Sequence, residues 1–120
     1  MTRKEVTGFR DLTFSGWVRE NLPDSKTGFM ASDLDFFLWN YKTKKLIMLE
    51  LKTYGRKPKR WQEIMWLNME KWITNGIDSD WEFRGYHLIQ FEKTNFENGK
   101  CYLDGKEITE KELIEFLSLN

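Results

Sequence analysis

The sequence is short of cysteine and of long apolar runs, and each shortage excludes a class of protein. Cys101 is the only cysteine in 120 residues. An internal disulfide framework and a multi-cysteine zinc or iron–sulfur site are therefore excluded. No apolar run approaches the ~20 residues of a transmembrane helix, and residues 1–14 lack the apolar stretch of a secretory signal. We expect a protein of a reducing compartment, the cytoplasm, with no membrane partner.

Aromatic side chains, in contrast, are plentiful and make up 16% of the chain. Disordered proteins carry few aromatic residues and a large net charge, so disorder is excluded as the main state. A chain of 120 residues has the size of one ordinary domain. We find no repeat and no low-complexity linker, and we interpret residues 1–120 as a single domain.

The net charge is zero, which argues against a protein that coats nucleic acid. The charges are nevertheless segregated. From Lys42 to Arg60, eight basic residues stand against Glu50 alone, which is +7 in 19 residues, so the rest of the chain carries −7. A solvated loop is the simpler interpretation of such a run. The aromatic residues within it also suit a phosphate backbone with stacked bases. The candidate substrate-binding residues are Tyr54, Arg56, Lys57, Lys59, Arg60 and Trp61.

Hydrophobic periodicity predicts helix, strand, strand, helix and strand, followed by a small hairpin and a last helix. The predicted elements are a helix at 11–21, strands at 34–40 and 46–53, a helix at 59–75, strands at 81–91 and 100–103, and a helix capped by Thr109. We expect Asn75-Gly76 to end the long helix. The expected apolar side of that helix is Trp61, Ile64, Met65, Met69, Trp72 and Ile73.

The strand at 46–53 has no fully polar face, because Ile47, Leu49 and Leu51 alternate with Met48, Glu50 and Lys52. Strands covered on both faces lie inside a sheet that is flanked by helices. The expected class is therefore α/β (α+β), with a central mixed sheet flanked by helices.

Glu50 and Lys52 are the most informative pair, because they lie on one face of this apolar strand. Charged groups beneath a helix are costly unless they are paired or bind a metal. Asp33 and Asp35 have the same spacing on the preceding strand. If the two strands form a hairpin, Asp35 lies near Glu50, and a divalent cation would relieve the repulsion of the two carboxylates.

Mg²⁺ suits carboxylate and water ligands. Lys52 can orient a water or help to deprotonate it, or it can stabilise the charge that develops on a phosphate. This chemistry suits phosphodiester hydrolysis. The alternative interpretation is an internal salt bridge of Lys52 with Asp35 or Glu50.

Three other features of the sequence are interpreted as structural and not catalytic. His87, the only histidine, has no serine or cysteine pattern beside it that would support a hydrolase triad. We assign it a structural role. Cys101 is interpreted as a small buried residue, and Asp104-Gly105 as a turn.

Four motifs in order resemble the PD-(D/E)xK nuclease superfamily, and specifically its RecB-like branch, with G-x-x-x-E, D, E-x-K and Q-x-x-x-Y. The matching residues are Gly16 and Glu20, Asp35 or Asp33, Glu50-Leu51-Lys52, and Gln62 with Trp66. The resemblance covers residues 11–91. Trp66 replaces the usual tyrosine, and the usual proline before the aspartate is absent.

The resemblance implies a restriction-endonuclease-like core and a nuclease that uses Mg²⁺ or Mn²⁺ to cleave DNA. It implies a catalytic group of Asp35, Glu50, Lys52 and Gln62. The implied metal ligands are Asp35, Glu50 and the carbonyl near Leu51, with Asp33 and Glu20 as alternative or additional ligands. We prefer Asp35 to Asp33, because it lies deeper in the strand.

The expected substrate is single-stranded, duplex or branched DNA, and RNA is not distinguished from it. The small size resembles nucleases of phages and mobile elements and junction resolvases, for which a homodimer is plausible. The alternative function is a non-catalytic module that keeps the nuclease fold and binds nucleic acid or protein.

Overall fold

The computed structural model describes residues 12–120, and the chain divides into two compact units after Ser32. The described part of the first unit contains helix α1 (Thr13–Asn21) and a short 3-10 helix (Ser25–Thr27). Phe14 and Trp17 stack on α1 with ring centroids 5.6 Å apart. The helix ends before Pro23 as the sequence predicts, because proline cannot continue it.

The second unit is a mixed sheet of five strands with two helices. The strands are β1 (Phe36–Asn40), β2 (Lys45–Lys52), β3 (Glu82–Phe91), β4 (Cys101–Leu103) and β5 (Lys106–Glu107), and the helices are α2 (Arg60–Gly76) and α3 (Glu110–Leu117). The strand order is β1-β2-β3-β4-β5. Neighbouring strands are antiparallel, except for the parallel pair β2 and β3, which α2 connects. The predicted class, a mixed sheet with helices, is confirmed.

The core has two layers, one on each face of the sheet. Ile47 and Leu49 of β2 are buried with Leu113 of α3, whereas Met48 between them is buried with Trp66 of α2. Successive side chains of a strand point to opposite faces, so the two helices cover opposite faces. Glu50 therefore shares the α2 face with Met48, and helix α3 lies on the other face.

The predicted apolar side of α2 is wrong in part. Trp66 is buried, and Met69 and Ile73 pack beside it. The other predicted members are exposed: Trp61, Ile64, Met65 and Trp72. The helix has two apolar stripes, and periodicity alone does not tell which stripe the sheet covers. The predicted end of the helix at Asn75-Gly76 is also wrong. The helix includes Gly76, and its C-cap residue is Ile77, whose backbone is extended.

Helix α3 begins as the sequence predicts. The Thr109 hydroxyl accepts a hydrogen bond from the Glu112 backbone N–H at 3.1 Å, and the Thr109 N–H donates to Glu112 Oε1 at 3.0 Å. This capping box is local, so sequence was sufficient to find it. Cys101 is buried, as predicted. Among residues 12–120, no helix is long and apolar enough to cross a bilayer.

Strand β3 bulges at Gly85, where its pairing with β2 slips by a residue between Leu46 and Met48. Gly85 has φ +88°, and a Cβ there would lie 2.6 Å from Glu70 Oε2. That same oxygen accepts a hydrogen bond from the Tyr86 backbone N–H at 2.7 Å. Glycine is therefore required both by the left-handed backbone and by the close approach of α2.

We expect Gly85→Ala to lower the free energy of unfolding by about 2–3 kcal/mol, from left-handed strain and the displaced Glu70 carboxylate. Gly105→Ala is the matched control. Gly105 has φ +87° but nothing within 4 Å of an added Cβ, so it carries the strain alone, about 1–2 kcal/mol. Urea unfolding measures both variants, and equal losses would contradict the role of Glu70.

Candidate active site

The hairpin of β1 and β2 brings Asp35 beside Glu50. Phe36 is paired with Leu49, so Asp35, one residue earlier, lies opposite Glu50. Asp35 Oδ2 accepts a hydrogen bond from the Leu51 backbone N–H at 2.8 Å. The prediction that Asp35 lies near Glu50 is confirmed.

Glu50 is the one buried charged residue among those described, with 3% of its surface exposed. Burial first, and then the neighbouring Asp35 carboxylate, raise the pKa of Glu50, which lies at about 7. The Lys52 ammonium acts in the opposite direction, with its Nζ 3.8 Å from Glu50 Oε1. The carboxyl is therefore held near the midpoint of its titration at neutral pH, where a bound cation would favour the ionised form.

Three buried side-chain polar atoms have no hydrogen-bond partner in the described part of the chain. They are Glu50 Oε2, Trp66 Nε1 and the Tyr86 hydroxyl. The Trp66 indole lies near enough to lower the pKa of Glu50, although no hydrogen bond of normal geometry joins the two groups. A buried polar atom left unpaired costs about 1–3 kcal/mol, which indicates a place for a water, a cation or a substrate atom.

The donor set fits a hard divalent cation held largely by water and substrate. Within residues 12–120, no group of three or more His, Cys, Asp or Glu side chains is arranged to hold a metal. Mg²⁺ is commonly bound by one or two carboxylates together with waters and substrate phosphates. Asp35 and Glu50 supply two carboxylates, and the unpaired Glu50 Oε2 is a free acceptor. The Leu51 carbonyl stays a predicted ligand.

The other predicted metal ligands are exposed. Asp33 lies two residues before Asp35, and Glu20 lies on α1 in the first unit. Their roles as ligands stay predictions. Gln62 is half-buried on α2, four residues before the buried Trp66, so the two share the helix face toward the sheet. The structure thus brings together Asp35, Glu50 and Lys52.

The basic stretch is divided between the two ends of β2. Lys44 forms an ion pair with Asp80 at 2.7 Å, and Lys45 Nζ donates to the Asn120 carbonyl. At ~3.3 Å per strand residue, Lys45 lies about 23 Å from Lys52 and Lys44 about 26 Å from it. The basic group whose charge acts on Glu50 is the Lys52 ammonium, and Arg56, Lys57, Lys59 and Arg60 follow it in the loop after β2 and at the start of α2. The local charge at the site is therefore smaller than the whole stretch suggests.

The predicted substrate-binding residues lie in the loop after β2 and in the first turn of α2. Their surfaces are exposed. The Arg56 guanidinium lies 5.9 Å from the centroid of the Tyr54 ring, within the range of a cation–π contact. The Arg56 carbonyl accepts a hydrogen bond from Gln90 Nε2 at 2.9 Å, which ties this loop to β3.

A cleft of about 550 Å³ opens between the start of α2 and the end of β3. Lys57 and Arg60 line it on one side, and Tyr86, Leu88 and Gln90 on the other. Sequence reasoning found the two basic residues but missed those on β3. One signal was available, since an isolated glycine in a strand, here Gly85, often marks a bulge or a close approach.

His87 lies on the opposite face of β3 from Tyr86. Its Nδ1 is 2.6 Å from Asp104 Oδ2, and its Nε2 is 2.5 Å from the Arg84 carbonyl oxygen. The ring also packs edge-on against Phe116 of α3. Both ring nitrogens are therefore occupied within the fold, in keeping with the structural role assigned from sequence.

Comparison with known proteins assigns no family to this chain. No protein-family model matches it, and neither a curated protein nor a solved structure does. The chemistry of Asp35, Glu50 and Lys52 is therefore what points to a function.

Proposed function

We propose that this protein is a divalent-metal-dependent nuclease that hydrolyses phosphodiester bonds of DNA. The observation that carries the proposal is the burial of Glu50 between Asp35 and Lys52, on the sheet face that α2 covers. A buried acid beside a second acid and an amine is costly for the fold. Such a cost is characteristic of sites where charge is required for chemistry.

Asp35 and Glu50 would hold Mg²⁺ or Mn²⁺, which supplies Lewis-acid stabilisation of the phosphate charge. In the hydrolysis, a water oxygen bonds to phosphorus and the bond to the leaving deoxyribose oxygen breaks. One water proton ends on that oxygen, and the other stays on the new phosphomonoester or is released to solvent. Lys52 lies beside Glu50 and would orient the water or stabilise the developing negative charge. Gln62 would position the water or the phosphate.

The exposed basic loop would bind the phosphate backbone near this site. Arg56, Lys57, Lys59 and Arg60 supply positive charge, and Tyr54 and Trp61 supply exposed rings for stacking. They follow directly on Lys52 in the chain, so the catalytic groups and the binding groups are adjacent. Binding should therefore weaken steeply as the salt concentration rises.

The proposal includes membership of the PD-(D/E)xK superfamily with a restriction-endonuclease-like core. An antiparallel hairpin followed by a helix and a parallel strand, with Glu50-Leu51-Lys52 at the end of β2, supports it. We place the enzyme in the cytoplasm, or in that of the host if a phage encodes it. A homodimer would supply two active sites.

Metal binding and DNA cleavage test the proposal together. Wild-type protein should bind Mn²⁺ in calorimetry and degrade DNA only when Mn²⁺ or Mg²⁺ is added. Glu50→Gln should lose both properties. Glu115→Gln, which changes an exposed acid on α3, should keep both. Cleavage in excess chelator would contradict the proposal.

A second candidate is a non-catalytic module that binds nucleic acid or protein. It is favoured by the finding that no three-residue metal group exists within residues 12–120. Binding of DNA without binding of Mn²⁺ and without cleavage would select this candidate over the nuclease.

A further inference from the structure

The cleft beside the carboxylate pair has the size of a small-molecule site. Its volume of about 550 Å³ falls within the ~300–1,000 Å³ of ligand pockets. It lies wholly within the second unit, between α2 and β3. The base of a nucleotide can enter such a cleft only when it is unpaired and unstacked.

The lining of the cleft is graded from charged to apolar. Lys57 and Arg60 are exposed and form the rim, whereas Leu88 is half-buried and Tyr86 is buried in the floor. Leu67 of α2 contributes an apolar wall. Cations at the rim suit a phosphate, and apolar walls suit the flat faces of a base.

The cleft also contains polar groups that can read the edge of a base. Glu63 lines it, and its carboxylate can accept hydrogen bonds from the exocyclic amino groups of bases. The Tyr86 hydroxyl is buried and has no hydrogen-bond partner among the described residues, so it is an unused donor. Burial and the charge of Glu50 raise the pKa of Tyr86, which keeps that donor protonated.

Tyr86 connects the cleft to the proposed chemistry, because it lines the cleft and lies within the electrostatic reach of Glu50. A nucleotide whose base occupies the cleft would have its phosphate at the rim, beside Lys57 and Arg60, on the sheet face that carries Glu50. An intact duplex keeps its bases inside the stack and cannot fill the cleft.

We propose that the cleft is a subsite for one unpaired nucleotide, so that the substrate is single-stranded or frayed nucleic acid and not intact duplex. The statement about the substrate of cleavage rests on the proposed function. The binding of an unpaired nucleotide in the cleft does not depend on cleavage.

Fluorescence anisotropy in excess chelator tests the subsite without any cleavage. The probes are a labelled single-stranded oligonucleotide and a hairpin duplex of the same sequence, and wild-type protein should prefer the single strand. Leu67→Trp fills the cleft from a half-exposed position and should weaken single-strand binding about tenfold, the size of one lost stacking contact. Duplex binding through the basic loop should change less than about twofold.

Two further variants sharpen the test. Ile114→Trp adds the same ring at an exposed position on α3 and should change neither affinity. Tyr86→Phe removes only the unpaired hydroxyl, and should weaken single-strand binding about fivefold with no loss of thermal stability. Unchanged or tighter single-strand binding by Leu67→Trp would overturn the subsite, as would equal wild-type affinity for the two probes.

These outcomes are separable from those of the nuclease assay. If the variants show the expected losses but the protein cleaves nothing with metal, the subsite is supported and the nuclease proposal fails. If duplex DNA is cleaved and the cleft variants bind single-stranded DNA as tightly as wild type, the nuclease is supported and the subsite is overturned.

Discussion

Replacing Lys52 with methionine is expected to lower the rate of metal-dependent DNA cleavage by about 10²–10³-fold, the usual loss when one group that stabilises transition-state charge is removed. Methionine keeps most of the aliphatic length and removes the ammonium. Because Lys52 Nζ lies 3.8 Å from Glu50 Oε1, the loss should appear in the turnover rate more than in DNA affinity. Initial rates with Mn²⁺ on single-stranded DNA measure it.

The matched control is Lys42→Met, which removes an exposed ammonium in the β1–β2 turn, at the far end of β2 from Glu50. It should keep wild-type turnover. Asp35→Asn should be as inactive as Lys52→Met, and circular dichroism should show all three variants folded. Full activity of Lys52→Met would refute the proposed mechanism.

Glu50→Gln is expected to change the pH dependence of stability more than any other single substitution. The pKa of Glu50 is raised from 4.5 to about 7 in the folded protein. Between these values the folded state binds more protons than the unfolded state, so stability falls as pH rises. The loss is complete above pH 7 and corresponds to at most about 3 kcal/mol. Glutamine cannot ionise, so the variant lacks this part of the pH dependence.

Urea unfolding of the metal-free protein from pH 4 to pH 8 measures this effect. The stability of wild type relative to Glu50→Gln should decrease by about 2–3 kcal/mol over that range. Glu115→Gln is the control, because this acid is exposed on α3, and its pH dependence should match wild type. Parallel curves for wild type and Glu50→Gln would show that Glu50 titrates normally.

Much of the site was predictable because it depends on two short-range rules. Alternation of side chains along β2 places Glu50 and Lys52 on one face. The hairpin turn then sets Asp35 opposite Glu50, as the pairing of Phe36 with Leu49 shows. The capping box at Thr109 was found for the same reason, since all its atoms lie within one helical turn.

The face of α2 was not predictable, because the helix carries apolar residues on two stripes. Trp66 faces Met48 in the core, while Trp61 and Trp72 are exposed. Hydrophobic periodicity detects both stripes and does not rank them. The sheet decides which stripe is buried. Helix α2 connects the parallel strands β2 and β3 and packs on the face that carries Met48, and the stripe with Trp66 is the one that covers Met48.

The cleft and the unpaired polar atoms were likewise outside the reach of sequence. Tyr86 approaches Glu50 only because β3 pairs in parallel with β2 and bulges at Gly85. Leu67 and Leu88 come from segments about 20 residues apart in the chain. Contacts of that kind depend on packing between elements, which no local pattern encodes.

The sequence by itself determined the class of the fold, the hairpin and the grouping of Asp35, Glu50 and Lys52, because strand alternation and turn length are local properties. Only the tertiary structure decided how deeply Glu50 is buried, and therefore that its pKa rises to about 7. It also divided the basic stretch, since β2, eight residues long, has Lys45 at one end and Lys52 at the other. Burial and distance are set by which elements pack together, and a sequence specifies that packing only through the complete fold.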